Sequence, residues 1–236
     1  MTDPPGEPEP GVVPEDAAPD PGRPDTSSGR YGLLLILLIA TYLLSAFTTG
    51  SLIYAVQIVV FVGATLIALR NARVPRWAAR LIGAVIVTGS AAALGLALAK
   101  PFEDALGVAQ LWSGLVLLAA VVALVYRILA TTTVTLQSIY AAVSAYIIIG
   151  LMFASFYGAM NVLSGTPFFT NGQPGDTKTF QYFSFTTLTT LGYGDFTAAS
   201  NAGRAVAVME AMFGQIFLAT LVARLVSAFR PSAPSK

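Results

Sequence analysis

Long apolar runs, separated by short polar segments, follow one another along the chain from residue 31 onward. Each run is close to the ~20 residues that a helix needs to cross a bilayer. The six runs occupy residues 31–48, 51–69, 80–99, 109–130, 136–160 and 204–229. The pattern predicts an all-α, multi-pass membrane protein with six transmembrane helices.

Residues 1–30 differ from the rest of the chain because they are rich in proline and acidic residues and contain no apolar run. Such a segment buries too little apolar surface to offset the entropy lost on ordering. We predict a disordered tail here. The apolar run that follows lacks a clear signal-peptide cleavage site, so we expect it to be retained.

Composition supports the membrane interpretation and excludes other classes. Of the 236 residues, 55% are hydrophobic and 11% are charged, and the chain contains neither Cys nor His. Disulfides, the usual transition-metal ligands and the commonest general base are therefore absent. The net charge of +1 does not favour nucleic acid. We expect no enzymatic activity, no cofactor and no nucleic-acid partner.

The chain between the last two apolar runs is polar and irregular in composition. Residues 161–175 are rich in Gly, Pro, Asn and Thr and predict a turret loop. Asp176 then predicts the N-cap of a short helix that ends near Thr189. At ~1.5 Å per residue this helix reaches only part-way across a bilayer. The negative end of its dipole, at the C-terminus, favours a cation.

Residues 186–195, with the sequence TTLTTLGYGD, follow directly. Non-helical backbone at membrane depth is tolerated only where protein buries it or where it lines a watery path. Rings of backbone carbonyls can replace the hydration shell of K⁺. Turning successive carbonyls to one axis requires positive φ angles, which glycine tolerates and β-branched residues do not. We predict that Gly192 and Gly194 supply these angles, that Thr190 adds a hydroxyl, that Tyr193 points away from the axis, and that Asp195 makes the mouth negative.

The pattern Thr187-x-x-Thr190-x-Gly192-Tyr193-Gly194-Asp195 resembles the signature of the potassium channel family, and residues 182–185 (YFSF) resemble the pore helix of its prokaryotic members. The resemblance implies a homotetramer with a re-entrant pore helix and filter between the fifth and sixth helices. It implies a filter segment formed by Thr190, Leu191, Gly192, Tyr193 and Gly194, with K⁺ bound at the first four. Filter support and the outer mouth are assigned to Thr187, Thr189, Asp195 and Glu210.

The pore domain implied by the resemblance covers residues 136–230, and residues 31–130 form a separate four-helix membrane domain. A voltage sensor needs several charges within the field. The fourth apolar run contains one, Arg127, at its end, where we interpret it as an anchor at the membrane surface. We therefore expect a channel that is not strongly voltage-gated.

The distribution of Lys and Arg predicts the orientation. One side holds Arg70, Arg73, Arg76, Arg80, Arg127, Arg230 and Lys236, and the other holds only Lys100, Lys178 and Arg204. We predict that both termini, including the tail at 1–30, are cytoplasmic, and that Asp195 faces outward. The protein is expected in a cell membrane in contact with lipid, and its high Arg and Ala content suggests a bacterial source.

Further candidate residues lie in the sixth apolar run. Gly214 is either a gating hinge or a small residue that packs against the pore helix. Leu218, Val222 and Val226 share one helical face and either line the inner cavity or contact lipid and other helices. Glu210 is the acid well inside this run, and we favour support of the filter, through the pore helix or a hydroxyl such as that of Thr186 or Thr187, over direct contact with ions.

Two departures from the family pattern leave details open. Phe183 offers no hydrogen-bond donor to brace Tyr193, and Thr186 stands where some relatives have an acid that affects inactivation. The leading hypothesis is a potassium-selective channel. The alternatives are a less selective cation channel, a regulatory subunit that joins another channel, and a secondary transporter, although a transporter is expected to show paired broken helices and this chain has one interrupted region.

Overall fold

The structure is a computed structural model that describes residues 28–47, 51–71, 76–98, 103–130 and 134–228. This part of the chain forms seven α-helices and a 3₁₀ turn at Thr170–Gly172. The helices are α1 (Ser28–Phe47), α2 (Ser51–Asn71), α3 (Arg76–Leu98), α4 (Glu103–Ala130), α5 (Leu136–Leu163), α6 (Thr177–Leu188) and α7 (Asn201–Ala228).

Within the described residues, each of the six predicted apolar runs is helical, which is consistent with an all-helical membrane protein. Three segments of the described residues are long and apolar enough to cross a membrane, namely Leu106–Ala130, Leu136–Leu163 and Asn201–Ser227. Three shorter apolar helices are Tyr31–Phe47, Ala55–Leu69 and Ala79–Gly95. The arrangement with six spans stays a prediction.

Several predicted boundaries were wrong by a few residues. Helix α1 begins at Ser28, inside the predicted tail, and the rest of that tail lies outside the described residues. Helix α3 begins at Arg76, so part of the predicted arginine-rich loop is helical. Helix α5 continues to Leu163, because the apolar character of Val162 and Leu163 outweighs the turn signal of Asn161. The predicted turn at residues 49–50 lies outside the described residues.

Helix α5 is the centre of the fold, since it packs against α1, α4, α6 and α7. Its contact with α4 is close because glycine lies at the crossing. A Cβ added at Gly107 would lie 2.9 Å from the Val162 side chain, and one at Gly114 would lie 2.5 Å from the ring of Phe156. Helix α3 packs against α2 and α4.

Helix α6 starts near the end of the fold where α5 ends and α7 begins. The segment after α6 returns to that same end. Near that end, an antiparallel bridge joins Phe169, before α6, to Ala198, after the filter segment. The other end of α6 lies beside the middle of α5, where the Tyr146 hydroxyl donates a hydrogen bond to Leu188 O over 3.2 Å. The fold thus starts the segment 189–195 near the middle of α5, and the chain returns from there to the end where α7 begins.

Candidate functional site

The predicted cap of the short helix is confirmed. Asp176 has extended backbone, and its Oδ1 accepts hydrogen bonds from Thr179 N (2.8 Å) and Thr179 Oγ1 (2.6 Å). Helix α6 then runs from Thr177 to Leu188. At ~1.5 Å per residue it is about 18 Å long, so it covers part of the length of α5 and α7.

The end of α6 explains an unexpected backbone angle at Thr190. Leu191 N donates to Thr186 O (2.8 Å) and Thr190 N donates to Thr187 O (2.9 Å). This pair of bonds is the Schellman motif, in which the residue after the C-cap is left-handed and usually glycine. Thr190 takes that position with φ +58°. Positive φ angles were predicted for Gly192 and Gly194, and the β-branched Thr190 adopts one as well, with about 1–2 kcal/mol of strain.

The two glycines of the filter segment adopt the angles that were predicted for them. Gly192 has φ +51° and Gly194 has φ +80°, whereas Leu191 and Tyr193 do not have positive φ. Because the sign of φ alternates along this segment, successive N–H groups lie on one side of the backbone and successive carbonyls on the other. A cavity of about 310 Å³ lies behind the segment, between α6 and α7. Tyr193 borders this cavity and is 68% exposed in a single chain.

The C-terminal end of the segment is tied to α6 by a contact that the sequence pattern did not indicate. The Tyr182 hydroxyl forms a hydrogen bond with the Asp195 carboxylate, and this bond raises the pKa of Tyr182. Phe183, which lacks a donor, packs its ring edge-on against Tyr157 with centroids 5.0 Å apart. The hydroxyl of Tyr182, one position before Phe183, was the feature of the sequence that could have indicated this bond.

The N-terminal end of the segment is held by α6 and by α7. Thr189 Oγ1 donates to Phe185 O over 2.7 Å, so this side chain caps its own helix. Thr187 contributes its carbonyl to the turn described above. Gln215 Nε2 donates to Thr190 Oγ1 over 3.2 Å, a contact from α7 that the sequence pattern did not indicate.

Glu210 is fully buried where α7 meets α5 and α6. Its Oε2 accepts a hydrogen bond from Tyr157 Oη over 2.6 Å, and its Oε1 lies 2.5 Å from Ser184 Oγ. A bond to α6 was expected, but the suggested partners Thr186 and Thr187 were wrong. The Thr186 hydroxyl donates to Phe183 O of its own helix, and Ser184 is the α6 residue that reaches the carboxyl.

The remaining candidates on α7 fall into two groups. Gly214 is buried against the end of α6, and a Cβ added there would lie 2.4 Å from Leu188 O. Leu218, Val222 and Val226 are exposed on a face that a single chain leaves open. The close approach at Gly214 favours the packing interpretation of this residue.

Helix α1 also reaches the site, which the sequence did not suggest. Ser45 Oγ donates to Gln181 Oε1 over 2.5 Å, and the rings of Tyr42 and Phe185 meet edge-on with centroids 4.9 Å apart. Helix α1 is therefore in direct contact with α6.

Two arginines lie near the end of α4. The Arg127 guanidinium stacks over the ring of Tyr31, 4.5 Å from its centroid, so it packs against α1. Arg224, which the sequence pattern did not indicate, donates a hydrogen bond to Ile128 O. That carbonyl is in the last turn of α4, where helices leave carbonyls unpaired. Arg224 thus connects α4 to α7.

Within the described residues, no group of three or more acidic side chains could hold a metal ion. Residues 142–230 match a protein-family model described as an ion channel. The comparisons with curated proteins and with solved structures gave no match. The family match supports an ion channel domain that comprises most of α5, all of α6 and α7, and the filter segment. Passive movement of ions is the function that such a domain supports.

Proposed function

We propose that this protein is a potassium-selective channel that moves K⁺ passively down its gradient. The observation that carries the proposal is the positive φ of Gly192 and Gly194 directly after a partial-length helix, within the region that matches an ion channel. These angles are what a row of backbone carbonyls facing one axis requires.

The chemistry of the filter segment supports potassium as the ion. K⁺ passes when carbonyl oxygens replace its hydration shell. The carbonyls of Thr190, Leu191, Gly192, Tyr193 and Gly194 supply these oxygens in our proposal, and Thr190 Oγ1 supplies the innermost one. Asp195 at the outer mouth and the C-terminal end of α6 at the inner side both attract cations. K⁺ enters as cargo and leaves unchanged.

The exposure of the filter segment supports a homotetramer. Residues 189–195 are all exposed in a single chain, and one chain contributes one strand of a filter that four strands line in the family it resembles. Helix α7 also leaves large apolar side chains uncovered, including Met209, Met212, Phe213 and Ile216. Neighbouring copies and membrane lipid would cover these surfaces.

The other membrane features follow from the same proposal. Residues 136–230 form the pore domain, and residues 31–130 form a four-helix domain that contacts it through α1 and α4. The cell membrane is the location, with both termini cytoplasmic and Asp195 outside. Arg127 packs against Tyr31 and has no second arginine beside it in α4, which supports weak rather than strong voltage dependence.

Flux from liposomes that contain only this purified protein tests the proposal. We expect K⁺ flux that exceeds Na⁺ flux and that barium blocks. Equal flux of the two ions would overturn potassium selectivity. A folded protein that passes neither ion at any voltage or pH would overturn the proposal that this chain conducts by itself.

A further inference from the structure

Three short oxygen–oxygen contacts form a chain around Glu210. Tyr157 Oη lies 2.6 Å from Glu210 Oε2, Glu210 Oε1 lies 2.5 Å from Ser184 Oγ, and Ser184 Oγ lies 2.7 Å from Gly150 O. The four groups come from α5, α6 and α7, and all four residues are buried. These three contacts therefore join the three helices that hold the filter segment.

The number of hydrogens available to these three contacts shows whether the Glu210 carboxyl is protonated. Three contacts of this length each need a hydrogen between the oxygens. Tyr157 and Ser184 bring one hydroxyl hydrogen each, and the Gly150 carbonyl brings none. If Ser184 donates to Gly150 O, the hydrogen between Oε1 and Ser184 Oγ must come from Glu210. An ionised Glu210 would leave one contact without a hydrogen.

The surroundings of Glu210 offer nothing that would balance a negative charge. The titratable groups that face it are the phenols of Tyr157 and Tyr146, both on α5. Helix α6 faces it with the Ser184 hydroxyl, and no basic side chain of the described residues is among its partners. A buried carboxylate without a cation is costly, whereas the neutral acid has all its hydrogen bonds satisfied.

We propose that Glu210 is a protonated carboxylic acid that ties α6 to α5 and α7, and that this tie positions the filter segment. The second half of this statement rests on the proposed function. Ser184 lies one turn before Leu188, the last residue of α6, so a shift at Ser184 moves the start of the filter segment. Loss of the proton at high pH breaks one of the three contacts and loosens α6.

Glu210→Gln separates this role from a merely structural one. The amide keeps the size of the acid, its oxygen can accept from Tyr157, and its NH₂ can donate to Ser184. It therefore copies the protonated acid and removes the ability to ionise. We expect Glu210→Gln to keep the thermal stability of the wild type, and Glu210→Leu, which leaves the hydroxyls of Tyr157 and Ser184 without this partner, to lower it.

Infrared spectroscopy of the purified full chain reads the proton directly. We expect the wild type at neutral pH to show the carbonyl band of a protonated carboxylic acid, and Glu210→Gln to lack it. Asp176→Asn, which converts an exposed carboxylate to an amide, should retain the band. Absence of the band in the wild type, or its persistence in Glu210→Gln, would overturn the proposal whether or not the protein conducts.

The pH profile of K⁺ flux tests the positioning role. We expect flux or selectivity of the wild type to fall as pH rises and that of Glu210→Gln to stay flat. The same pH profile in both proteins would refute positioning through this proton. A wild type that shows the infrared band and carries no flux would refute the proposed function and the positioning role together. In that case the infrared band and the stability data would still support a protonated Glu210 that ties α6 to α5 and α7.

Discussion

Gly214 of α7 lies directly against the Leu188 carbonyl at the end of α6, so closely that an added Cβ would lie 2.4 Å from Leu188 O. The atom in the way is backbone that also accepts a hydrogen bond from Tyr146. Neither partner can move away without displacing the end of the helix that leads into the filter segment. The absence of a side chain at Gly214 therefore sets the distance between α6 and α7.

Gly214→Ala should destabilise the protein for this reason. Overpacking of this kind costs about 1–3 kcal/mol. Gly63→Ala is the matched control, because nothing lies within 4 Å of a Cβ at that helical glycine and alanine favours the helix by ~0.5–1 kcal/mol. Thermal denaturation in detergent should show a lower midpoint for Gly214→Ala and an unchanged or higher one for Gly63→Ala. Equal stability of Gly214→Ala and the wild type would disprove the close contact.

Ser45→Ala should weaken the attachment of α1 to α6. The substitution removes the hydroxyl that donates to the buried Gln181 Oε1 and costs about 1–3 kcal/mol. Ser227→Ala is the control, since that exposed hydroxyl bonds only to the Arg224 carbonyl of its own helix. Denaturation midpoints and protease sensitivity of the two variants would be compared. Identical behaviour would show that the Ser45–Gln181 contact contributes nothing.

The helices and the cap of α6 could be predicted from the sequence because their signals are local. Apolar runs determine which segments become helical in a membrane, and Asp176 stands next to the helix that it caps. The positive φ angles of Gly192 and Gly194 could also be predicted, since glycine is the residue that accepts them at low cost.

The tertiary contacts of the site could not be predicted in the same way. Tyr157 and Glu210 are 53 positions apart, and their contact depends on how α5 and α7 are rotated about their axes. Ser45 and Gln181 are 136 positions apart. The left-handed Thr190 follows from how α6 ends rather than from the preference of threonine. Periodicity identifies an apolar face but does not specify which polar residue on it finds a partner.

Asp176→Ala should shorten or fray the start of α6. The loss of an N-cap side chain costs ~0.5–2 kcal/mol. Asp176→Asn should recover most of the stability, because asparagine also accepts from the backbone N–H at this position. The midpoints of thermal denaturation would check the order wild type, Asn, Ala. If asparagine were as harmful as alanine, the hydrogen bond from Thr179 N would not be the source of the stabilisation.

Tyr182→Phe should remove a contribution to stability that depends on pH. The hydrogen bond to Asp195 raises the pKa of Tyr182 in the folded protein above its ordinary value of 10.0. The stabilisation is therefore complete below pH 10 and is lost as pH rises above it. The gap in denaturation midpoint between wild type and Tyr182→Phe should stay constant below about pH 10 and narrow as the pH rises above it. Tyr126→Phe, at a 57% exposed phenol, is the control for the substitution itself.

One pair of glycine variants shows whether the backbone of the filter segment conducts K⁺ selectively. Gly192 and Gly165 both have positive φ and open space around the missing Cβ, so alanine introduces similar backbone strain at both. Only Gly192 lies in the filter segment. K⁺ and Na⁺ flux would be measured in liposomes that contain wild type, Gly192→Ala or Gly165→Ala.

We predict that Gly192→Ala abolishes K⁺ flux or its selectivity over Na⁺, and that Gly165→Ala leaves both as in the wild type. Undiminished, selective flux through a folded Gly192→Ala protein would show that the backbone of the filter segment does not determine K⁺ conduction.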